Sequence, residues 1–199
     1  MNKPVINIKN LNVDYITDKN PIKAVRDVTF EIFSGEIFGL VGESGSGKST
    51  VVQAMMRILP PPAIISKGEV IINNEDILAS SSLDVVGMRW KKISIVMQSA
   101  LNALNPVLSI REQIHDVLKT HKNLIGLDAD ERAKELLSLV EIDHDRLDSF
   151  PHQLSGGMKQ RIVIAIALAI MPPIIIMDEP TTALDVIVER EIIAKIIDL

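Results

Sequence analysis

Alternating apolar and polar residues fill much of the first third of the chain. The alternation covers residues 5–8, 11–15 and 28–32, and a further strand-like segment at 68–72 precedes the turn pair Asn73-Asn74. A period of two places the apolar side chains of a strand on one face. We therefore predict an antiparallel sheet that includes a hairpin at the two asparagines.

Continuous apolar runs predict strands of a second kind. Such runs are Ile37–Val41, Ile93–Met97, which is interrupted by one serine, and Ile174–Met177, which is followed by two carboxylates. Runs without alternation are typical of parallel strands that are covered on both faces. We predict a strand at each run, with residues 174–177 central in a parallel sheet.

Helical spacing of apolar residues appears between and after these strands. Residues 48–59 form one such segment, which ends at three prolines. Ser109 and Glu112 form a capping box for a second helix, and a third starts near Asp128. Residues 185–199 also repeat their apolar positions at helical spacing, which predicts an amphipathic helix.

The most apolar segment of the chain, residues 162–177, is too short to span a membrane. A transmembrane helix needs about 18 apolar residues or more. Pro172 and Pro173 also interrupt the segment. It therefore predicts a buried helix, a proline stop and a buried strand.

Composition sets the broad class. A chain of 199 residues can bury one core and a smaller subdomain. The net charge of -5 argues against mainly electrostatic binding of nucleic acid, so we expect no nucleic-acid partner. The absence of cysteine excludes disulfides, and no secretory signal opens the sequence, which leads directly into short strands.

The stretch from Gly42 to Thr50 fits the phosphate-binding pattern G-x-x-x-x-G-K-[ST]. Glycines let the backbone N–H groups point at a polyphosphate, and the following helix adds its positive end. Lys48 is predicted to reach the β- and γ-phosphates, and the Ser49 hydroxyl to bind Mg²⁺. The alternative is a Gly/Ser turn before a helix. The predicted nucleotide-binding residues here are Gly42, Ser44, Gly45, Ser46, Gly47, Lys48, Ser49 and Thr50.

A second helix N-terminus that could bind an anion is predicted at Ser155-Gly156-Gly157, at the start of a long apolar helix. The alternative is that Ser155 is an ordinary helix cap. Two glycines in a first turn each weaken a helix by roughly 1 kcal/mol, which favours a ligand that approaches closely.

Asp178 and Glu179 follow the apolar run at 174–177 and are predicted to lie at the carboxyl edge of the sheet, where nucleotides bind. In a phosphate-loop enzyme, Asp178 belongs to the Mg²⁺ shell and Glu179 is the general base for the attacking water. Taken singly, such a pair is more often a helix N-terminal charge pair.

These three stretches, in this order, resemble the ATP-binding cassette (ABC) ATPases. Leu154–Met158 is similar to the family's signature Leu-Ser-Gly-Gly-Gln, with Met158 in place of Gln. The resemblance implies that Gln98 lies in the catalytic centre and contacts Mg²⁺, that Tyr15 stacks on adenine, and that Asp185 belongs to a loop at the nucleotide. The implied fold is α/β, with a phosphate-loop (RecA-like) parallel sheet core, an antiparallel β subdomain and an inserted helical subdomain. The core would comprise 1–98 and 154–199, and the helical subdomain 99–153.

Residues 98–106 and 150–158 resemble the oligopeptide and dipeptide importer group, in which Met at the fifth signature position is routine. The resemblance implies an ATPase that uses ATP and Mg²⁺. It implies a peripheral protein on the cytoplasmic face of the cell membrane, with a head-to-tail second ATPase subunit, membrane-spanning permease subunits and, indirectly, a substrate-binding protein. Nickel and oligosaccharide importers are similar to the same group, so the cargo stays open. A soluble ABC ATPase of DNA repair or translation and a non-ABC phosphate-loop switch GTPase or kinase are the alternatives.

One feature departs from the family pattern. ABC ATPases carry a switch histidine after a strand downstream of Asp185, whereas His115, His121, His144 and His152 all precede the acids. None of them can be assigned that role. We therefore expect a C-terminally truncated cassette that binds ATP weakly and hydrolyses it poorly, or that is catalytically dead.

Overall fold

The computed structural model describes residues 3–97, 103–180 and 186–197, which contain both antiparallel and parallel β-structure. The chain divides into two units, Met1–Gly87 and Met88–Leu199, called unit 1 and unit 2. The strands are β1 (Ile6–Tyr15), β2 (Ile22–Ile32), β3 (Ala63–Ile72), β4 (Glu75–Asp76), β5 (Ile93–Val96) and β6 (Ile174–Met177). The α-helices are α1 (Lys48–Met55), α2 (Ser82–Met88), α3 (Ile110–Lys122), α4 (Gly126–Leu139), α5 (Gly156–Ala167) and α6 (Val186–Ile197).

Unit 1 is built on a four-stranded antiparallel sheet in the order β2-β1-β3-β4. The two short strands predicted at 5–8 and 11–15 are one strand, β1, with irregular pairing where Asn10 adopts φ 48°. Such a bulge moves the apolar alternation by one residue, so that Ile8 and Leu11 are both buried. The predicted antiparallel sheet is therefore confirmed.

The hairpin predicted at Asn73-Asn74 is also present. Asn73 and Asn74 both have positive φ, at 49° and 65°, and Ile72 pairs with Glu75 across them. A two-residue loop with positive φ at both positions matches the right-handed twist of the flanking strands, and Asn tolerates that backbone.

Unit 2 contains a parallel pair of strands, β5 and β6, in the register Ile93↔Ile174 to Val96↔Met177. Helices α3, α4 and α5 share one apolar cluster with Val96 of β5 and Ile192 of α6. The predicted order of buried helix, proline stop and strand over 162–177 is confirmed by α5 and β6, but only Ile174 of β6 is buried and the other three residues are half-buried. The exact subdomain boundaries at 98/99 and 153/154 stay a prediction.

The capping box at the start of α3 is present as predicted. The Ser109 side chain accepts a hydrogen bond from the Glu112 backbone N–H, and the Glu112 carboxylate accepts one from the Ser109 backbone N–H. This backbone hydrogen bond, with the Ser109 hydroxyl, lowers the pKa of Glu112 below its ordinary value. Two otherwise unpaired helix donors are satisfied in this way.

Arg111 joins the start of α3 to its neighbours. Its Nε and Nη2 atoms donate to Oδ1 and Oδ2 of Asp148 at 2.7 and 3.1 Å, and its Nη1 atom donates to Asp130 of α4. These bonds, to Asp148 above all, raise the pKa of Arg111. A bidentate guanidinium of this kind fixes both distance and orientation.

Helices α4 and α5 cap each other. Arg132 of α4 donates to the carbonyl oxygens of Ala169 and Leu168, at 3.2 and 3.5 Å, just beyond the end of α5. Arg161 of α5 donates to the carbonyl oxygens of Val140 and Glu141, at 3.2 and 2.7 Å, at the end of α4. Each cation therefore lies at the negative end of the other helix, which is the favourable arrangement for its dipole.

Replacing Arg132 by Ala is expected to lower the free energy of unfolding by about 1–2 kcal/mol, because two helix-end carbonyls lose a charged donor. The measurement is urea denaturation followed by far-UV circular dichroism. Lys134→Ala removes a cation from an exposed position of the same helix and serves as the matched control. Equal losses in the two variants would show that the capping contact contributes nothing.

The segment Ile37–Val41 differs most from the prediction. The structure assigns it no strand, and Ile37 and Val41 are 74% and 93% exposed. Within the described residues, the two sheets include no strand that pairs with it. A strand is stable only with a hydrogen-bonded neighbour, so apolar sequence alone does not produce one.

Smaller differences concern helix ends. Helix α1 stops at Met55 rather than near residue 59, because Arg57 adopts φ 49° and its N–H bonds to the Ala54 carbonyl. Helix α2 was not predicted. Helix α6 covers Val186–Ile197 within the predicted 185–199, with Ile192 buried and Ile197 56% exposed.

Candidate functional site

The loop before α1 has the backbone that a phosphate cradle requires. Gly45 and Gly47 have φ of 78° and 95°, which side-chain-bearing residues rarely adopt. A Cβ atom on Gly47 would lie 2.7 Å from the Ala24 carbonyl oxygen, and one on Gly42 would lie 2.8 Å from Ser46 Oγ. Gly47 is therefore needed for close approach to the backbone as well as for its conformation, whereas at Gly42 the contact is with a serine hydroxyl that can rotate away.

The N-terminus of α1 has no side-chain cap, and its first turn contains no acidic residue. The first N–H groups of a helix have no partner within the helix, and the helix dipole favours negative charge there. Ser49 and Thr50 are in this first turn and are half-buried. These features suit an anion, and the predicted binding of a phosphate here stays a prediction.

Lys48 is folded back onto its own loop. Its Nζ donates to the carbonyl oxygens of Gly42 and Glu43, both at 2.8 Å. These contacts hold the ammonium group over the loop in which the phosphates are predicted to bind. A bound polyphosphate offers the same ammonium charged acceptors, which form stronger hydrogen bonds than carbonyls do.

Tyr15, the predicted adenine contact, is the last residue of β1. It is half-buried and pairs with Ile22 of β2 and Ala63 of β3. Tyr15 and the loop both belong to unit 1. Its role at the base stays a prediction.

The second predicted helix start is present at Ser155. Its hydroxyl accepts a hydrogen bond from the Met158 backbone N–H at 3.2 Å, so Ser155 is the cap of α5. The hydroxyl hydrogen is still available to a ligand, because a serine hydroxyl both accepts and donates. Gly156 is exposed, and a Cβ atom there would meet nothing within 4 Å. The chain itself therefore leaves room for a larger residue at Gly156.

The predicted acids lie at the carboxyl end of β6. The Asp178 backbone N–H continues the parallel ladder by donating to the Val96 carbonyl at 2.8 Å. Asp178 is half-buried and Glu179 is exposed, with φ 48°. The strand thus delivers both carboxylates to one edge of the β5-β6 sheet, as expected for this topology.

Gln160 is a further residue at this edge, and the sequence motifs did not point to it. Its side chain donates to the Pro180 carbonyl at 2.5 Å, directly after the two acids. The available indication of this role in the sequence was that Gln160 is a polar residue on the core side of an apolar helix.

Two predicted site residues lie outside the described part of the chain. They are Gln98 and Asp185, so their predicted roles at the metal and the nucleotide stay predictions. Among the residues that are described, no group of three or more His, Cys, Asp or Glu side chains is arranged to hold a metal ion. Of the three predicted Mg²⁺ ligands, Ser49 and Asp178 are described, and they supply a hydroxyl and a carboxylate oxygen. These are the hard donors that Mg²⁺ prefers, and phosphate oxygens would complete its shell.

In the described ranges, no helix combines the length and the apolar character needed to cross a bilayer. Three features are typical of a phosphate-loop nucleotide-binding protein. They are the glycine-rich loop, the helix start without a side-chain cap, and the two acids that follow a parallel strand.

Comparison with known proteins assigns the family. Residues 25–182 match the family described as ABC transporter, and the chain belongs to that family. It is 42% identical over 192 residues to the dipeptide transport ATP-binding protein DppD of Bacillus subtilis, covering 95% of this chain and 57% of that protein. It is 40% identical over 198 residues to the oligopeptide transport ATP-binding protein OppD of Bacillus subtilis, covering 98% of this chain and 55% of that protein.

A solved structure confirms the predicted α/β cassette fold. The dimeric structure of MJ0796, a bacterial ABC transporter cassette, superposes with a TM-score of 0.88 at 33% identity, covering 96% of this chain and 81% of that one. A structure of MJ0796 in a post-hydrolysis state bound to ADP and Pi gives a TM-score of 0.86 at 32% identity. The chain spans less than three fifths of the length of the two Bacillus relatives.

Proposed function

We propose that this chain is the ATP-binding and ATP-hydrolysing part of a subunit that powers import of oligopeptides or dipeptides through separate membrane subunits. The observation that carries the proposal is the loop before α1, where two glycines have positive φ, the helix start has no side-chain cap, and the Lys48 ammonium group donates to loop carbonyl oxygens. The similarity to the dipeptide and oligopeptide transport proteins of Bacillus supports peptides as the cargo.

The chemistry follows from the residues present. The backbone N–H groups of the loop and Lys48 Nζ would bind the β- and γ-phosphates, and the residues that would hold Mg²⁺ are Ser49, through its hydroxyl, and Asp178, through its carboxylate. When bound, Mg²⁺ neutralises charge on the phosphates. Glu179 accepts a proton from the water that attacks the γ-phosphorus, while the bond from that phosphorus to the bridging oxygen breaks. The products are ADP and phosphate.

Assembly is part of the proposal. Ser155 at the start of α5 is a second anion-binding helix end, and in a head-to-tail pair of ATPase subunits it would contact the nucleotide bound by the other subunit. The MJ0796 cassette is dimeric in its solved structure, which supports a paired arrangement. Permease subunits, and indirectly a substrate-binding protein, complete the transporter, and the chain acts at the cytoplasmic face of the membrane.

The proposal is tested by replacing Lys48. Lys48→Ala is expected to weaken ATP binding about tenfold to 100-fold and to reduce turnover with it, because charge-assisted hydrogen bonds to the phosphates are lost. Equilibrium binding of ATP with Mg²⁺ and release of phosphate are measured on the same samples. Lys67→Ala, on β3 of the same unit, is the control. Unchanged binding in Lys48→Ala would contradict the proposed site.

A further inference from the structure

Two polar side chains, Ser94 and Gln160, are buried among the described residues, with 4% and 1% of their surfaces exposed. The Ser94 hydroxyl has no hydrogen-bond partner there, whereas Gln160 donates from Nε2 to the Pro180 carbonyl oxygen at 2.5 Å. A buried amide that donates to one backbone carbonyl fixes that carbonyl in place, because losing the bond would leave both groups unsatisfied. Gln160 is on the signature helix α5, and Pro180 follows the proposed general base.

The backbone at Glu179 needs such a restraint. Glu179 has φ 48°, in the left-handed region that residues other than glycine adopt rarely. It also precedes a proline, and that position favours an extended backbone. Strained conformations persist only where the surrounding structure determines them.

Two hydrogen bonds bracket the strained residue. On one side the Asp178 N–H donates to the Val96 carbonyl at 2.8 Å, and on the other Gln160 holds the Pro180 carbonyl at 2.5 Å. The first bond belongs to the sheet and would form with any residue at position 178 that has a backbone N–H. The second depends on one side chain, and that side chain is Gln160.

We propose that Gln160 is a positioning residue that holds the Glu179 backbone in its left-handed conformation and so aims the carboxylate at the attacking water. The proposal deepens, and rests on, the proposed function, in which Glu179 is the base. Gln160 contacts neither nucleotide nor water in this scheme. Gln160 also connects the proposed base to Ser155, because Ser155 lies about 7.5 Å from Gln160 along α5.

The test is a double-mutant cycle with Gln160→Met and Glu179→Gln. Gln160→Met keeps the length and volume of the side chain and removes the donor. We expect turnover at saturating ATP to fall about tenfold or more, with ATP affinity unchanged, because misplacement of a catalytic group affects chemistry rather than binding. In the Glu179→Gln background, Gln160→Met should cause no further loss, since Gln160 acts through the carboxylate. Ile166→Met, a volume-conserving change on the same helix, is the control.

The proposal would be overturned if the effect of Gln160→Met on turnover added fully to that of Glu179→Gln. It would also be overturned if Gln160→Met had no effect on turnover. If Gln160→Met does not fold, Gln160→Asn is used, since it keeps the amide but is too short to reach Pro180. The backbone φ of Glu179, determined by NMR or crystallography in the variant, gives a readout that needs no turnover. A wild-type chain that neither binds nor hydrolyses ATP would count against the proposed function, whereas an unchanged Glu179 φ in the variant would count against the role of Gln160 alone.

Discussion

Replacing Glu179 by Gln is expected to slow ATP turnover on the order of 100-fold or more while leaving ATP affinity nearly unchanged. The amide has the shape of the carboxylate but cannot accept the proton of the attacking water. Glu179 is exposed at the end of β6 and Gln has nearly the same size, so the fold should tolerate the change. Single-turnover hydrolysis and equilibrium ATP binding, measured on the same protein, separate the two effects.

Two further variants test whether the loss of turnover is specific to the Glu179 carboxylate. Glu131→Gln neutralises an exposed carboxylate on α4 and should leave turnover unchanged. Lys48→Ala should lose binding and turnover together. If Glu179→Gln lost as much ATP affinity as Lys48→Ala does, Glu179 would be a binding group and not the base.

Replacing Gly68 by Ala is expected to lower the free energy of unfolding by about 2–4 kcal/mol. Gly68 has φ 113°, and a Cβ atom there would lie 2.6 Å from Leu11 Cα and 2.8 Å from the Asn10 carbonyl oxygen. These are backbone atoms at the bulge of β1, so relief would require the two strands to separate. Urea denaturation followed by circular dichroism measures the loss.

The matched control for Gly68→Ala is Gly87→Ala. A Cβ atom at Gly87 meets nothing within 4 Å, and this glycine has no positive φ. Because Ala favours helix over Gly, stability should stay the same or rise slightly in α2. A loss at Gly68 no larger than the change at Gly87 would mean that β1 and β3 accommodate the side chain without cost.

Local rules predicted the parts of the fold that local contacts determine. The Ser109–Glu112 capping box joins residues three apart, and the Asn73-Asn74 hairpin needs only two residues with positive φ. The order of helix, proline stop and strand over 162–177 follows from an apolar run and two prolines. Each of these could be predicted because its cause lies within a few neighbouring residues.

Features that depend on distant partners were not predicted. The run Ile37–Val41 has the composition of a buried strand, but strand formation depends on a neighbour elsewhere in the chain, and no described strand pairs with it. The contact from Gln160 to Pro180 spans 20 residues and joins a helix to a turn. At the site, the positions of the glycine loop, of Ser155 and of the two acids followed from motifs. The left-handed backbone at Glu179 did not, because glutamate has no preference for it.

The mutual capping of α4 and α5 restricts how these two helices can move. A slide of one along the other by a full turn, about 5.4 Å, would take both guanidinium groups away from their carbonyl oxygens at once. A rotation of the pair as a whole would break neither set of bonds. The low-energy displacement of α4 is therefore one that carries α5 with it, so a force applied to the exposed side of α4 would also move the start of α5 at Ser155, where an anion is predicted to bind.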